Sequence, residues 1–575
     1  MSTLVSNTIK PRRGDTVTFA DCNISVGGTA TYEDVTNIDS IGIITARSDI
    51  KVSGIVTAMT GTAVTYHGDG SKLTGIEFGV ENFVASGTID NGKTVVLNSD
   101  GTVGIVTQTT VAPSAGTPVG WGNTANNLNT YGDSSVYIGN NKIFIAYQDT
   151  TNSNQGTGVI GEISGTTINF GSPAVFGSST TWYISSTYDS TNDRVVVAYR
   201  DQGDFDKGKC AVGTISGTTV NFPAAPVTFN NSSSAYISAT YDYDNDRVLI
   251  GYVYADVVHA AKVIAGIVDT NTNTVNFNSG GEGNVNVVET YDVTATYVGN
   301  SKVVVNYRDA ANSHYGRAIV GSITGAGTST VDFASGAVTT YNEGTTYNAS
   351  RSAVYNSDTG TIIICYQAAD VGASQYYGTA SIGVISGNTI TFGNPSDKVV
   401  FDYNSTSDPT PAYDSTNKKV IINYRSTQPG GGSSWAYARV VSAVGTAITF
   451  TGSPILLENT QTEYLSAAYV PGSDKTVCSY VDLGSGYNYG RAVVLSPESQ
   501  TTNVTTENYI GIAAETISDT STGKVNVLGG VNSGQSGLTT AQTYYVAQTG
   551  ILTTTADTPS VVAGTSMSST EILIR

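Results

Sequence analysis

The sequence predicts an all-β protein centred on a seven-bladed β-propeller of four-stranded antiparallel blades, with small flanking β domains. Three observations predict it: a composition suited to short strands and tight turns, a tyrosine-marked repeat that runs seven times, and a last copy that lacks one strand.

The composition comes first. The 575 residues include 64 Gly and 35 Tyr but only 14 Phe and 3 Trp, and charged residues make up 13%. Aromatic and β-branched residues favour pleated strands, while Gly, Asn, Asp and Ser favour the turns between them. With 39% apolar residues the chain buries real cores. Acids outnumber bases 46 to 27, a net charge of −19, which excludes a nucleic-acid partner held through phosphates. No stretch is long and apolar enough for membrane insertion as a helix. The start of the chain, with no basic segment leading into an apolar one, predicts no Sec export. The four cysteines, Cys22, Cys210, Cys365 and Cys478, are too far apart for a zinc knuckle or a disulfide framework, so each is expected to be a free, mostly buried thiol.

The repeat decides the architecture. A strand ending in Tyr recurs as KIFIAYQD (Tyr147), RVVVAYRD (Tyr199), RVLIGYVY (Tyr252), KVVVNYRD (Tyr307), TIIICYQA (Tyr366), KVIINYRS (Tyr424) and KTVCSYVD (Tyr480), at spacings of 52, 53, 55, 59, 58 and 56 residues. A second tyrosine precedes each (Tyr137, Tyr188, Tyr241, Tyr297, Tyr355, Tyr413, Tyr469), with a turn such as Asp189-Ser190-Thr191-Asn192-Asp193 between the two. This is a hairpin, strands a and b. A second hairpin, c and d, follows, as in GTGVIGEISGTTINF, and six copies of it end at Phe170, Phe222, Phe277, Phe333, Phe392 and Phe450. Four strands per repeat is blade arithmetic. The seventh copy has strand c (Tyr489–Leu495) but no d strand. Thr102–Val106 followed by Gly116–Val119 parallels TINF…GSPAV, so an N-terminal strand around Val103, beside Val493, is expected to close the last blade and remove the open edges. The propeller then spans 101–497. Residues 81–100 and 498–575 are strand-like and are expected to form a small β domain beside it. Residues 1–80 read as an extended, thinly cored β-rich segment that needs partners.

Candidate site residues lie where loops gather at the ends of the b strands. The b–c loops carry Phe205, Tyr254, His314, Tyr315, Tyr376, Tyr377, Trp435, Tyr437, Tyr487 and Tyr489. The d–a loops add Tyr131, Trp182, Tyr183, Tyr236, Tyr347 and Tyr464. Aromatic faces among Asn, Asp and Ser suit sugar, whose C–H faces stack on rings while its hydroxyls find polar partners. The competing reading is that Tyr is simply the amphipathic residue of blade packing, and it weighs more heavily for the strand-a tyrosines. Arg200, Arg308 and Arg425 follow the b-strand Tyr in three copies; they suit a carboxylated sugar, or else pair structurally with the following Asp, as at Asp201 and Asp309. Asp242, Asp244 and Asp246 mimic the start of a calcium loop, but Arg247 and Val253 stand where it needs Gly and Glu, so a solvated turn is expected. No GxSxG, HExxH or P-loop pattern occurs, and no catalytic residue, cofactor or metal site is expected.

The run TYEDVTNIDSIGIITARSDIKVSG from Thr31, HGDGSKLTGI from His67, the YDSTNDRVVVAYRD repeats and the tail NYIGIAAETISDTSTGK…YYV…GILTTT together resemble virion structural and tail-fibre-like proteins of phages that infect marine cyanobacteria. The resemblance implies a particle component, located in the virion and assembled in the host cytoplasm. Its N-terminal part attaches to other virion proteins and its later domains are displayed outward. It also implies a homo-oligomer, with a trimer expected. The function expected is therefore a non-enzymatic tail-fibre or fibre-like protein whose propeller binds host-surface glycan. The alternatives are a structural decoration of capsid, neck or baseplate with no ligand, and a polysaccharide-degrading propeller enzyme.

Overall fold

The computed structural model describes residues 79–121, 130–256, 258–325, 330–333, 336–347, 352–369, 376–393, 398–427, 433–444, 447–484, 488–497 and 499–575. The chain divides into units of 1–76 and 77–575, and the described residues belong to the second. The expected attachment segment, up to residue 78, lies outside the described residues.

The described residues form an all-β structure of antiparallel sheets, with three short 3-10 turns as the only helical pieces among them. In every tyrosine-marked repeat the a and b strands pair as a hairpin and c pairs with b, for example Tyr188↔Val195 and Tyr199↔Lys209 in the second. Asp189 makes that turn, accepting from the backbone N–H groups of Thr191 (3.1 Å) and Asn192 (2.9 Å); a side-chain-bonded turn needs a short acceptor at this position. The long strands Ala174–Asp189 and Val227–Asp242 serve two repeats each. Their first halves pair with the c strand of one repeat, and their second halves with the b strand of the next.

The b-strand tyrosines Tyr147, Tyr199, Tyr252, Tyr307, Tyr366, Tyr424 and Tyr480 are all buried in the cores between strands. Beside them one seat repeats. The second or third residue of strand c is Gly156, Gly208, Gly316, Gly378 or Gly490, and a Cβ there would lie 2.3–2.5 Å from Phe176, Phe229, Tyr341, Phe401 or Trp121 respectively. In the two repeats where Ala261 and Ala436 take the glycine's place, the ring is replaced by Val285 and Leu457. Ring plus nothing, or aliphatic plus methyl: the summed volume is conserved, as close packing requires.

Trp121 follows the strand that pairs with the last repeat, and that strand is not the one to which the sequence points. Val103 lies in Val103–Ile105, which pairs with Thr94–Leu97 in a sheet completed by Tyr509–Ala513, Thr522–Asn526 and Val80–Val84. The strand beside the last repeat comes about ten residues later: Ser114–Ala115 and Val119–Gly120 pair with Tyr489–Ser496, as Ala115↔Leu495 and Val119↔Ala492. The TVGIV run alternates more strongly, so it reads as the better strand, but its apolar face is used by the flanking core of Ala85, Val95, Ala513 and Val525. The Gly116–Val119 half of the parallel lies where it was expected. The C-terminal residues 531–574 form a further five-stranded sheet.

Hydroxyls bridge successive a strands. Ser134 meets Ser186 (2.6 Å), Ser185 accepts from Ala239 N (2.9 Å) and Ser238 from Ala295 N (3.1 Å). Thr294 meets Ser352 (3.2 Å) and Thr410 donates to Leu465 O (3.0 Å). The last repeat then meets the first, where Ser135 N donates to Ser466 Oγ (2.9 Å). One core likewise combines Trp121, Ile143 and Tyr147 with Val470, Val477 and Ala492.

Candidate functional site: an aromatic row on the loop-bearing face

The site is built from an irregularity in strand a. Between its two paired halves the register slips, at Trp182/Ser185, Ala235/Ser238, Tyr291/Thr294, Ser407/Thr410 and Glu463/Ser466. A residue with positive φ sits in each slip: Tyr183 (51°), Tyr236 (48°), Asp292 (53°), Asp408 (48°) and Tyr464 (53°). A bulge of this kind re-aims side chains that a regular strand would send up and down alternately. Holding a tyrosine in the left-handed region costs about 1–2 kcal/mol, which makes such positions candidates for function.

The bulges bring rings into a row. Tyr183 and Tyr236 have centroids 5.2 Å apart, and Tyr236 and Tyr291 5.8 Å. The Arg308 guanidinium lies 4.8 Å from the Tyr291 ring and 4.6 Å from that of Tyr347, and Tyr347 meets Tyr376 at 5.2 Å. Arg200 covers Tyr183 at 5.1 Å. The contacts therefore run unbroken from the second repeat to the fifth. Burial pushes the Tyr236 hydroxyl up to about 12, with the Asp292 carboxylate adding to it. The Glu289 carboxylate, accepting the Tyr291 hydroxyl, raises that group too. The Tyr236 and Tyr291 phenols therefore stay protonated at physiological pH.

The arginines that follow the b-strand tyrosines are paired, but with partners other than those expected. Arg200 pairs with Asp206 (3.3 Å), Arg308 with Asp292 (2.9 Å) and Arg425 with Asp408 (2.8 Å). The following aspartates Asp201, Asp309 and Asp482 instead hold the c-strand cations Lys209, Arg317 and Arg491. Bulge geometry, invisible in sequence, decides this exchange, because it turns Asp292 and Asp408 toward the arginines.

The predicted aromatics divide. Tyr376 ends the row, and its neighbour Tyr377 packs 5.9 Å from Tyr403. Phe205 is 87% exposed at φ 53°, on a loop framed by the Lys207–Asp204 and Lys209–Asp204 ion pairs. Tyr254 lies under Lys262 Nζ (5.0 Å). Tyr315, Trp435 and Tyr489 stand half-buried at or near the starts of c strands, paired opposite Asp309, Ser426 and Asp482. Tyr437, half-buried, stacks on the buried Tyr424 at 6.0 Å and packs against the core between the fifth and sixth repeats. Tyr487 lies outside the described residues. Tyr291 is the member of the row that sequence reasoning missed; it stands one position before the left-handed Asp292, in the place that Trp182 and Ala235 hold in the two preceding copies, so its signal was the match to Trp182 rather than to Tyr236.

No protein-family model matches the chain, and no curated protein does. Solved structures that it resembles in part include a protein of unknown function from Dyadobacter fermentans, at 11% identity and a TM-score of 0.37 over 68% of this chain and 99% of that one. AofleA from Arthrobotrys oligospora is similar at 8% identity and 0.35, over 64% and 99%. A polysaccharide lyase, the PL25 ulvan lyase, is similar at 12% and 0.37, over 75% and 98%. Overlap this loose carries no chemistry across.

The calcium-like aspartates are each used within the fold. Asp242 accepts from Asn245 Nδ2 (2.9 Å), Asp244 from Tyr297 OH (2.5 Å), and Asp246 from Tyr241 OH (2.8 Å) and Asn192 Nδ2 (3.0 Å). Among the described residues no group of three or more His, Cys, Asp or Glu is arranged to hold a metal.

Proposed function

We propose that the seven repeats close into a propeller, and that this propeller is the displayed head of a non-enzymatic, fibre-like virion protein that holds host-surface glycan on the row from Tyr183 to Tyr376. Closure is supported by the return of the a-strand bridge from Ser466 to Ser135 and by the pairing of Ser114–Gly120 with the last c strand. The virion setting rests on the sequence resemblance. The row itself carries the binding reading: strained backbone presents adjoining rings and neutral hydroxyls together, which blade packing alone does not require. Several copies per particle would turn weak single sites into avid attachment.

The test is adsorption of the purified protein to host cells, with immunogold labelling of particles to place it. Tyr236→Ala with Tyr291→Ala should weaken adsorption by about tenfold or more, roughly 1.4 kcal/mol or above, while the denaturant midpoint of the remaining fold stays cooperative. Adsorption unchanged in that variant refutes the binding role and leaves structural decoration.

A further inference from the structure

We infer that the glycan taken by this row is uncharged. The inference rests on the binding role proposed above and deepens it. Three guanidinium groups lie along the loop-bearing face where an acidic sugar would seek them, and each already faces a carboxylate: Arg200 with Asp206, Arg308 with Asp292, Arg425 with Asp408. The central pair is the most enclosed, its side chains only 12% and 9% exposed. Arg308 meets Asp292 through Nε, so its charge is already balanced within the protein, and a carboxylate or sulfate approaching the guanidinium would also meet the part-buried Asp292 carboxylate, a like charge. Arg308 is also held between the rings of Tyr291 and Tyr347, so it is not free to swing out to a ligand. The net charge of −19 opposes acidic polymers at longer range. What the row has to offer is the ring surface that Arg200 and Arg308 leave uncovered, with phenol hydroxyls beside it, the complement of the C–H faces and hydroxyls of an uncharged pyranose.

A glycan array carrying neutral, carboxylated and sulfated oligosaccharides, probed with the full chain, tests this. The expected result is binding to neutral members, changing less than about twofold between about 50 and 500 mM NaCl, with acidic members at least about tenfold weaker. Asp292→Asn supplies the second arm. Asn tolerates the left-handed backbone as Asp does, and the change releases the Arg308 charge, so binding to carboxylated members should appear or rise by about tenfold. Tighter binding of acidic members by the unmodified protein, falling steeply with salt, overturns the inference, as does Asp292→Asn with no gain. Binding to no member of any class is a different result: it removes the glycan reading itself, and this inference with it.

Discussion

Trp121→Ala should open the junction between the first and last repeats. The strands Ser114–Ala115 and Val119–Gly120 hold the last c strand through two-residue ladders and the bonds Gly116 N to Val494 O (2.8 Å) and Trp121 N to Gly490 O (3.2 Å). So short a ladder holds little by itself, and the indole is the anchor. It is 2% exposed, with Phe170 at 6.1 Å and Tyr147 at 6.0 Å. Burying about 200 Å² of ring at about 25 cal/mol per Å² gives roughly 5 kcal/mol, and truncations of this size cost about 3–5 kcal/mol. Gly490→Ala attacks the same seat from the other side. Its Cβ would lie 2.3 Å from Trp121 Cε2, which forces the ring to shift at a cost of about 1–3 kcal/mol. The two changes must couple, because the methyl fits the space that the lost indole vacates. Urea midpoints across the double-mutant cycle measure this, and limited proteolysis reports release of the segment before Ser114. Gly490→Ala should cost under about 0.5 kcal/mol when Trp121 is already Ala. Additive costs, or a Trp121→Ala effect no larger than that of Trp182→Ala at the 37% exposed Trp182, would refute the seat and the junction with it.

Other outcomes follow from the same packing. Burial raises the hydroxyls of Tyr147, Tyr199, Tyr252, Tyr307, Tyr366, Tyr424 and Tyr480 above their ordinary value; a raised folded pKa gives stability that is whole below about 10 and lost as pH climbs past it. The denaturant midpoint should therefore hold from pH 7 to about 9.5 and fall beyond, and a midpoint equal at pH 8 and 11 contradicts the burial. Asn417→Ala removes the amide that joins Asp414 to Asp474 of the next repeat at 2.9–3.0 Å, and thermal melts should show a loss of about 1–2 kcal/mol, against no change if the clip is incidental. Phe205→Gly relieves a left-handed backbone in a ring that packs on little, so the midpoint should stay or rise by up to about 1 kcal/mol; a clear fall would mean the ring is packed. Incubation with host polysaccharide should release no new reducing ends, and their appearance would establish the enzymatic alternative.

The repeat, its antiparallel hairpins and the buried tyrosines were legible in the residues alone, because these are local: a turn such as Asp189–Asp193 and the alternation on either side of it act within a dozen residues. The sequence also pointed to Gly116–Val119 as kin of the other repeats. Tertiary structure decided what distant contacts fix. Val103 joined the flanking sheet despite reading as the closing strand, since pairing partners hundreds of residues away are not written in local alternation. Trp121 could take the last seat only because Gly490 leaves room for it. The row was the least legible part: the left-handed bulges at Tyr183, Tyr236 and Asp292 depend on the register slips of strand a, and those slips help to make neighbours of Tyr183, Tyr236 and Tyr291 and to give Arg308 to Asp292.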